Sequence, residues 1–157
     1  MRLSEADGRP VLSRATAESL GELRHVVVDA ATRRITALHV SGRGRRAGLV
    51  GWADVVGFGP DGIVVAGEDA IRPPAGDREE AVVRGRLDLD GRLVLDDHGD
   101  AAGPLTDLLF DEATGAVRAV IFGDVAIPAT RLRAIGPYCV LVRAEDPVAA
   151  LPAGEPA

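Results

Sequence analysis

Three short groups of residues in this sequence carry side chains that could bind a ligand or a partner. The first, Asp96-Asp97-His98-Gly99-Asp100, offers three carboxylates and an imidazole within five residues. Carboxylate oxygens suit a hard cation such as Ca²⁺, but the run lacks the alternating ligands of an EF-hand loop. Asp and Gly are also the residues that ordinary turns prefer. We therefore expect a turn here, with a cation site as the alternative.

The second group is the basic run Arg43-Gly44-Arg45-Arg46. At a loop tip, its arginines could pair with an acidic protein surface, a phosphate or anionic lipid head groups. All 18 basic residues of the chain are arginine, and Lys, Asn and Gln are absent, so a GC-rich coding bias explains part of this enrichment. We predict a partner-binding loop from Arg43, Arg45 and Arg46, with a solvated hairpin loop as the alternative.

The third group consists of His25 and His39, together with the unique Trp52 and Cys139. Two histidines do not complete a zinc site, which needs three or four ligands, so we expect ordinary strand residues. Trp52 could anchor a partner, as aromatic residues do at interfaces, or pack within the fold. A single cysteine excludes an internal disulfide, and Cys139 is expected to be a small buried hydrophobe.

Motifs of the common enzyme classes are missing from the sequence. It contains no Gly-x-Ser-x-Gly elbow, phosphate loop or His-Glu-x-x-His pair. We therefore predict a protein that is not an enzyme, with no catalytic residue, cofactor or metal. The net charge of −6 argues against a broad nucleic-acid surface. No apolar run approaches the roughly 18 residues of a membrane span, and no signal-peptide pattern opens the chain, so a cytoplasmic location is expected.

The segments that position these groups occur twice. Gly8-Arg9-Pro10-Val11-Leu12 matches Gly91-Arg92-Leu93-Val94-Leu95, 83 residues later. Residues 20–38 match 102–120 at an offset of 82, and residues 50–65 match 127–142 at an offset of 77. Three blocks in the same order indicate an internal duplication, with the length differences falling in loops.

Each copy consists of short β-branched runs separated by Gly, Pro and Asp, which is typical of strands and tight turns. Leu20 to Leu23 could form a helical turn, but Gly21 and its counterpart Gly103 favour strand entry or a bulge. The turn 29–33 corresponds to 111–115, and its closing residue needs a positive φ. Gly115 suits that position, whereas Arg33 would adopt it at a cost of roughly 1–2 kcal/mol.

The fold class predicted from this pattern is all-β. We expect two tandem small β-barrels, related by the duplication and packed as a pseudo-twofold pair, because a barrel of about 65 residues is marginally stable alone. Fusion of two copies often replaces a homodimer, so a monomer is favoured. The predicted boundaries are repeat 1 at 1–69, a linker crossing outside the pair at 70–83, repeat 2 at 84–146 and a flexible tail at 147–157.

These segments resemble the PRC-barrel family. The resemblance lies in a Gly-x-x-Val start, a Leu-Gly-x-Leu strand and a Val-Pro-Trp-x-Asp-Val-like segment. Repeat 1 keeps Trp52 and Asp54 of that last segment, and repeat 2 keeps Pro128. Asp107 matches a common acid of the family, where repeat 1 has His25. The family includes the cytoplasmic barrel of the photosynthetic reaction-centre H subunit, the C-terminal domain of the ribosome-maturation factor RimM and small standalone bacterial proteins.

The resemblance implies a docking barrel with no catalytic residues to carry over. We therefore expect an adaptor or scaffold that binds an unidentified protein, with any membrane contact made through that partner. The alternative is a regulatory module that responds to a small ligand or a metal and acts on a separate protein, including a membrane protein.

Overall fold

The computed structural model describes residues 1–42 and 48–144. Two six-stranded sheets dominate this part of the chain, and each sheet is built from one repeat. The strands of the first sheet are β1 (Pro10–Ser13), β2 (Ser19–Asp29), β3 (Arg34–Ser41), β4 (Gly48–Gly51), β5 (Val55–Phe58) and β6 (Ile63–Val65). Those of the second are β7 (Leu93–Asp96), β8 (Ala101–Phe110), β9 (Val117–Phe122), β10 (Val125–Pro128), β11 (Leu132–Ile135) and β12 (Val140–Val142).

The two sheets have the same topology. Their strand orders are β4-β3-β2-β1-β6-β5 and β10-β9-β8-β7-β12-β11. The first and last strands of each repeat pair in parallel, β1 with β6 and β7 with β12, and the other pairs are antiparallel. The predicted tandem, duplicated β architecture is therefore confirmed.

The length differences between the copies fall in loops, as the alignment predicted. The β1–β2 connection spans residues 14–18, and its counterpart spans 97–100. The larger difference is in the β3–β4 hairpin, which has a loop at 42–47, whereas β9 and β10 are joined by residues 123–124 alone. Repeat 1 therefore has the longer connection between the two strands at the edge of its sheet.

The predicted hairpin turns and glycine bulges are present in both copies. Asp29 accepts a hydrogen bond from the Ala31 amide at 3.0 Å, and Asp111 accepts one from Ala113 at 2.8 Å. Positive φ occurs at Arg33 (57°) and Gly115 (79°), as expected. The bulges that we associated with Gly21 and its counterpart appear as register shifts between β1 and β2 and between β7 and β8.

The tips of the two equivalent hairpins meet each other. The amide of Ile35 donates to the Gly115 carbonyl, and the amide of Val117 donates to the Arg33 carbonyl, both at 2.8 Å. The offset of 82 converts one of these hydrogen bonds into the other. A pseudo-twofold axis therefore passes between the tips, where Arg34 pairs with its own counterpart, Ala116.

Two short helices connect the repeats across this axis: α1 (Leu3–Ala6) and α2 (Asp77–Val83). The first precedes repeat 1 but contacts β8 of repeat 2, and the second precedes repeat 2 but contacts β2 of repeat 1. The predicted linker at 70–83 is thus partly helical and packed against the sheet. Val82 of α2 joins the buried side chains on the outer face of the first sheet, which is why Val26, Val27 and Val28 are all buried.

The main core is continuous between the repeats. Phe58 of repeat 1 meets Phe110 of repeat 2 edge to face, with ring centroids 5.3 Å apart. One cluster of buried side chains contains members of both sheets, including Leu38 and Val120, which occupy equivalent positions. Each repeat therefore buries part of its apolar surface against the other, which adds the burial that a barrel of this size lacks.

Candidate functional site

A cleft of about 410 Å³ opens between the two repeats. Its walls come from β2 and β8, from α1 and from the loop 87–90 that follows α2. Both strands are bulged at equivalent residues, Arg24 and Thr106, where the ladders to β3 and β9 shift register. Bulges redirect side chains and are frequent beside functional sites. Sequence reasoning did not find this cleft, because it forms only when the repeats pack.

On the repeat 2 side, the carboxylate of Asp107 is fixed by groups from α1. One oxygen accepts the Ser4 amide at 3.0 Å and the Leu108 amide at 2.8 Å, and the other accepts the Ser4 hydroxyl at 2.5 Å. Burial favours the neutral carboxyl, but the hydrogen bonds from Ser4 and Leu108 and the charge of Arg2 outweigh it, so the pKa of Asp107 is lowered. Asp107 thus ties the two repeats together as an anion.

On the repeat 1 side, His25 occupies the position that corresponds to Asp107. His25 and His39 pair across β2 and β3, and their rings stack with centroids 5.6 Å apart. His25 Nδ1 lies 3.5 Å from Asp88 Oδ1, which belongs to the loop after α2. Burial lowers the pKa of His39, and the nearby His25 and Arg24 lower it further, while Asp88 opposes them. The net effect favours the neutral form of His39.

Trp52 lies where the repeats meet near the axis, in the 3-10 turn Trp52–Asp54. Its ring stacks on Phe58, with centroids 5.8 Å apart, and it covers Gly115 of the other repeat. At the equivalent place, the 3-10 turn Ala129–Arg131 has Ala129 in place of Trp52. The side chain of Arg33 extends there and donates to the Thr130 carbonyl at 3.1 Å. On one side of the axis Trp52 thus faces Gly115, and on the other side Arg33 faces the turn that begins with Ala129. A partner contact by Trp52 stays a prediction.

Replacing Gly115 with alanine should destabilise the chain by about 2–4 kcal/mol, because it adds overpacking to backbone strain. A Cβ at Gly115 would lie 2.9 Å from two ring atoms of Trp52. Gly91→Ala is the matched control, since its φ of 77° is similar and nothing lies within 4 Å of its Cβ position. Urea unfolding of both variants, alone and combined with Trp52→Ala, tests this. A Gly115→Ala penalty that stays the same without Trp52 would refute the contact.

Arg43, Arg45 and Arg46 lie outside the described residues, but both ends of their loop are described. Ser41 closes β3, and Gly48 begins β4. Leu49 of β4 exchanges two backbone hydrogen bonds with Arg72, of 2.8 and 2.9 Å. The segment after β6 therefore holds the outer side of β4, one of the two strands that flank these arginines.

The acidic cluster of repeat 2 forms a turn. Asp96 accepts hydrogen bonds from the amides of His98 and Asp100, at 2.9 and 3.0 Å. Asp97 accepts the Ala144 amide at 2.9 Å and faces Arg133 at 3.4 Å. These contacts favour turn chemistry over a cation site. Within residues 1–42 and 48–144, no group of three or more His, Cys, Asp or Glu side chains is placed to hold a metal. Cys139 is a free, half-buried thiol.

The fold defines the class of this chain as a duplicated small β domain, in which two mixed six-stranded sheets share one core. The sequence model of the PRC-barrel domain matches residues 1–71, so the first repeat is a PRC-barrel domain. The second sheet repeats that topology, which is consistent with a second PRC-like copy. No curated protein matches the chain.

Among the described residues, none of the helices has the length and apolar character that a bilayer crossing requires.

Proposed function

We propose that this chain is a non-enzymatic, cytoplasmic adaptor that binds a partner protein through the β3–β4 hairpin of repeat 1. The supporting observation is the difference between the copies at this hairpin, whose loop spans 42–47 in repeat 1 and 123–124 in repeat 2. A duplicated scaffold gives an internal reference, so a segment found in one copy marks a place where the copies have diverged. Loops on rigid scaffolds are where binding residues concentrate.

The chemistry of the loop indicates the kind of partner. Arg43, Arg45 and Arg46 give this segment three positive charges in a chain with a net charge of −6. Such a segment favours an acidic partner surface, which can accept paired hydrogen bonds from each guanidinium. Complementary charge also selects against partners of the wrong sign and speeds association.

Changing Arg43, Arg45 and Arg46 to alanine together should weaken partner binding by about 1–3 kcal/mol, since exposed ion pairs contribute up to about 1 kcal/mol each. The partner can be identified by mild crosslinking in the native host followed by mass spectrometry. Its affinity is then measured for wild type and variant at low and high salt. We expect a smaller salt dependence for the variant.

A second triple variant controls for the loss of three positive charges. Arg14, Arg86 and Arg143 are exposed and do not belong to the loop, so their replacement by alanine should leave partner binding intact. Equal binding by wild type and by the loop variant would remove the loop from the proposal. Thermal unfolding of both variants checks that neither change disturbs the fold.

The second candidate function is a module that responds to a small ligand, and the cleft between the repeats favours it. The cleft combines apolar walls with the polar side chains of Arg24, His25 and Thr106. A ligand that binds only the folded chain raises its stability by RT ln(1 + [L]/Kd). A panel of ions and metabolites tested by thermal shift would reveal such a ligand, and a flat response would count against this function.

A further inference from the structure

We propose that His25 and Asp88 form a proton-controlled contact between the two repeats, which is open while His25 is neutral and closes when His25 is protonated. This goes beyond the proposed adaptor function, because it concerns how the two repeats are held together around the cleft. It rests on the geometry of the described residues on both walls of that cleft.

The pseudo-twofold symmetry allows the His25–Asp88 contact to be compared with its counterpart in repeat 2. His25 and Asp107 occupy equivalent positions on β2 and β8, at the offset of 82. Each faces the segment that leads into the other repeat: Asp107 faces Ser4, and His25 faces Asp88. The Asp107 contact is closed, with hydrogen bonds of 3.0 and 2.5 Å to the Ser4 amide and hydroxyl. The same place in repeat 1 therefore holds a different kind of contact.

The His25 contact is not closed in the structure. The distance of 3.5 Å between His25 Nδ1 and Asp88 Oδ1 exceeds that of an ordinary hydrogen bond. Asp88 Oδ1 is nevertheless buried, and no described group donates a hydrogen bond to it. A buried carboxylate oxygen without a donor is unfavourable. Protonation of His25 makes both ring nitrogens donors, so Nδ1 can then supply the missing proton.

Charged groups of both signs lie around His25. Arg24 on the same strand opposes a second positive charge, and so does any charge on the stacked His39 of β3. Burial, together with His25 and Arg24, lowers the pKa of His39, which favours its neutral form. Four carboxylates line the cleft that His25 faces: Asp7, Asp88, Asp90 and Asp107.

Closing the contact would fasten the loop 87–90 to β2. That loop is one wall of the cleft and follows α2, which covers the outer face of the first sheet. Between about pH 7.5 and 5.5, where histidine side chains gain a proton, the repeats would become more tightly joined on this side only. The Ser4–Asp107 side, which contains no histidine, would not change over the same range.

The test is an NMR titration of the His25 ring in wild type, Asp88→Asn and Asp90→Asn. Asp90 lies on the same cleft wall and is exposed, so its variant removes the same charge without removing the contact. We expect His25 in Asp88→Asn to titrate at a lower pH than in wild type, and His25 in Asp90→Asn to stay close to wild type. Equal displacement in the two variants would overturn the proposal, since only the general charge of the cleft would then matter.

A second measurement reports the contact itself. Amide hydrogen exchange of residues 86–90, corrected for its intrinsic pH dependence, should slow on going from pH 7.5 to 5.5 in wild type and in Asp90→Asn. The slowing should be lost in Asp88→Asn. Global stability is a poorer readout, because the lowered pKa of His39 makes its contribution fall as the pH drops. Unchanged protection in wild type across this range would overturn the proposal, even if His25 titrates as expected.

Discussion

Gly21→Ala should destabilise the chain by about 3–4 kcal/mol, since it combines an unfavourable φ with a collision that the backbone cannot relieve. Gly21 has a φ of 140° at the bulge of β2, and a Cβ there would lie 1.9 Å from the Ser41 carbonyl oxygen. Either β2 or β3 must shift to make room. A loss of this size is a large part of the stability of a typical domain.

The counterpart of Gly21 in repeat 2 is a matched control. Gly103 has a φ of 115° at the equivalent bulge, but nothing lies within 4 Å of its Cβ position. Gly103→Ala should therefore cost only about 1–2 kcal/mol, from backbone strain alone. Chemical denaturation of both variants gives the comparison. Similar losses at the two positions would mean that the close approach of β3 to β2 in repeat 1 does not constrain Gly21.

This difference between the bulges is linked to the different lengths of β3 and β9. Ser41 pairs with Glu22 because β3 continues to Ser41, whereas β9 ends at Phe122 and turns at once. Gly21 therefore allows the base of the 42–47 loop to lie close against β2. A Gly21→Ala protein that still folds should also bind the partner less well, because the base of that loop would be displaced.

The sequence was sufficient to predict the fold because the duplication and the turn chemistry are local signals. The glycine bulges, the Asp-initiated hairpins and the positive φ at Arg33 each depend on a few neighbouring residues, and all were found as predicted. Aligning the copies also placed the length differences correctly. In this chain the strongest information lies in the comparison of one repeat with the other.

The cleft could not be predicted, because it depends on which surfaces the repeats bury. Nothing in the sequence of 70–83 indicates that α2 packs against β2. Its Gly and Pro residues predict only a linker. The one indication in the sequence is the run of three successive valines at 26–28, which predicts a strand with apolar side chains on both faces. A strand that is buried on both faces needs a cover on its outer side. The pairing of Asp107 with Ser4, 103 residues apart, had no local signal at all.

Asp107→Ala should destabilise the chain by about 3 kcal/mol, because it leaves the Ser4 amide and hydroxyl and the Leu108 amide without their acceptor. Its carboxylate is only 7% exposed, so water cannot fully replace those hydrogen bonds. Since Ser4 belongs to α1 and Asp107 to β8, the loss should also loosen α1 from repeat 2. Faster amide exchange in residues 2–8, measured together with urea unfolding, would report that loosening.

The lowered pKa of Asp107 adds a pH dependence with a definite sign. A carboxyl whose pKa is lower in the folded state stabilises the protein above its unfolded value, near 3.9, and loses that contribution as the pH falls further. The free energy of unfolding should therefore fall below about pH 4 in wild type and more gently in Asp107→Asn. The exposed Asp61→Asn is the control for the loss of one carboxylate and should keep the wild-type slope. If the free energy of unfolding falls equally steeply below pH 4 in Asp107→Asn and Asp61→Asn, the contact between α1 and β8 does not depend on an ionised Asp107. The hydrogen bonds from Ser4 would then act as neutral ones.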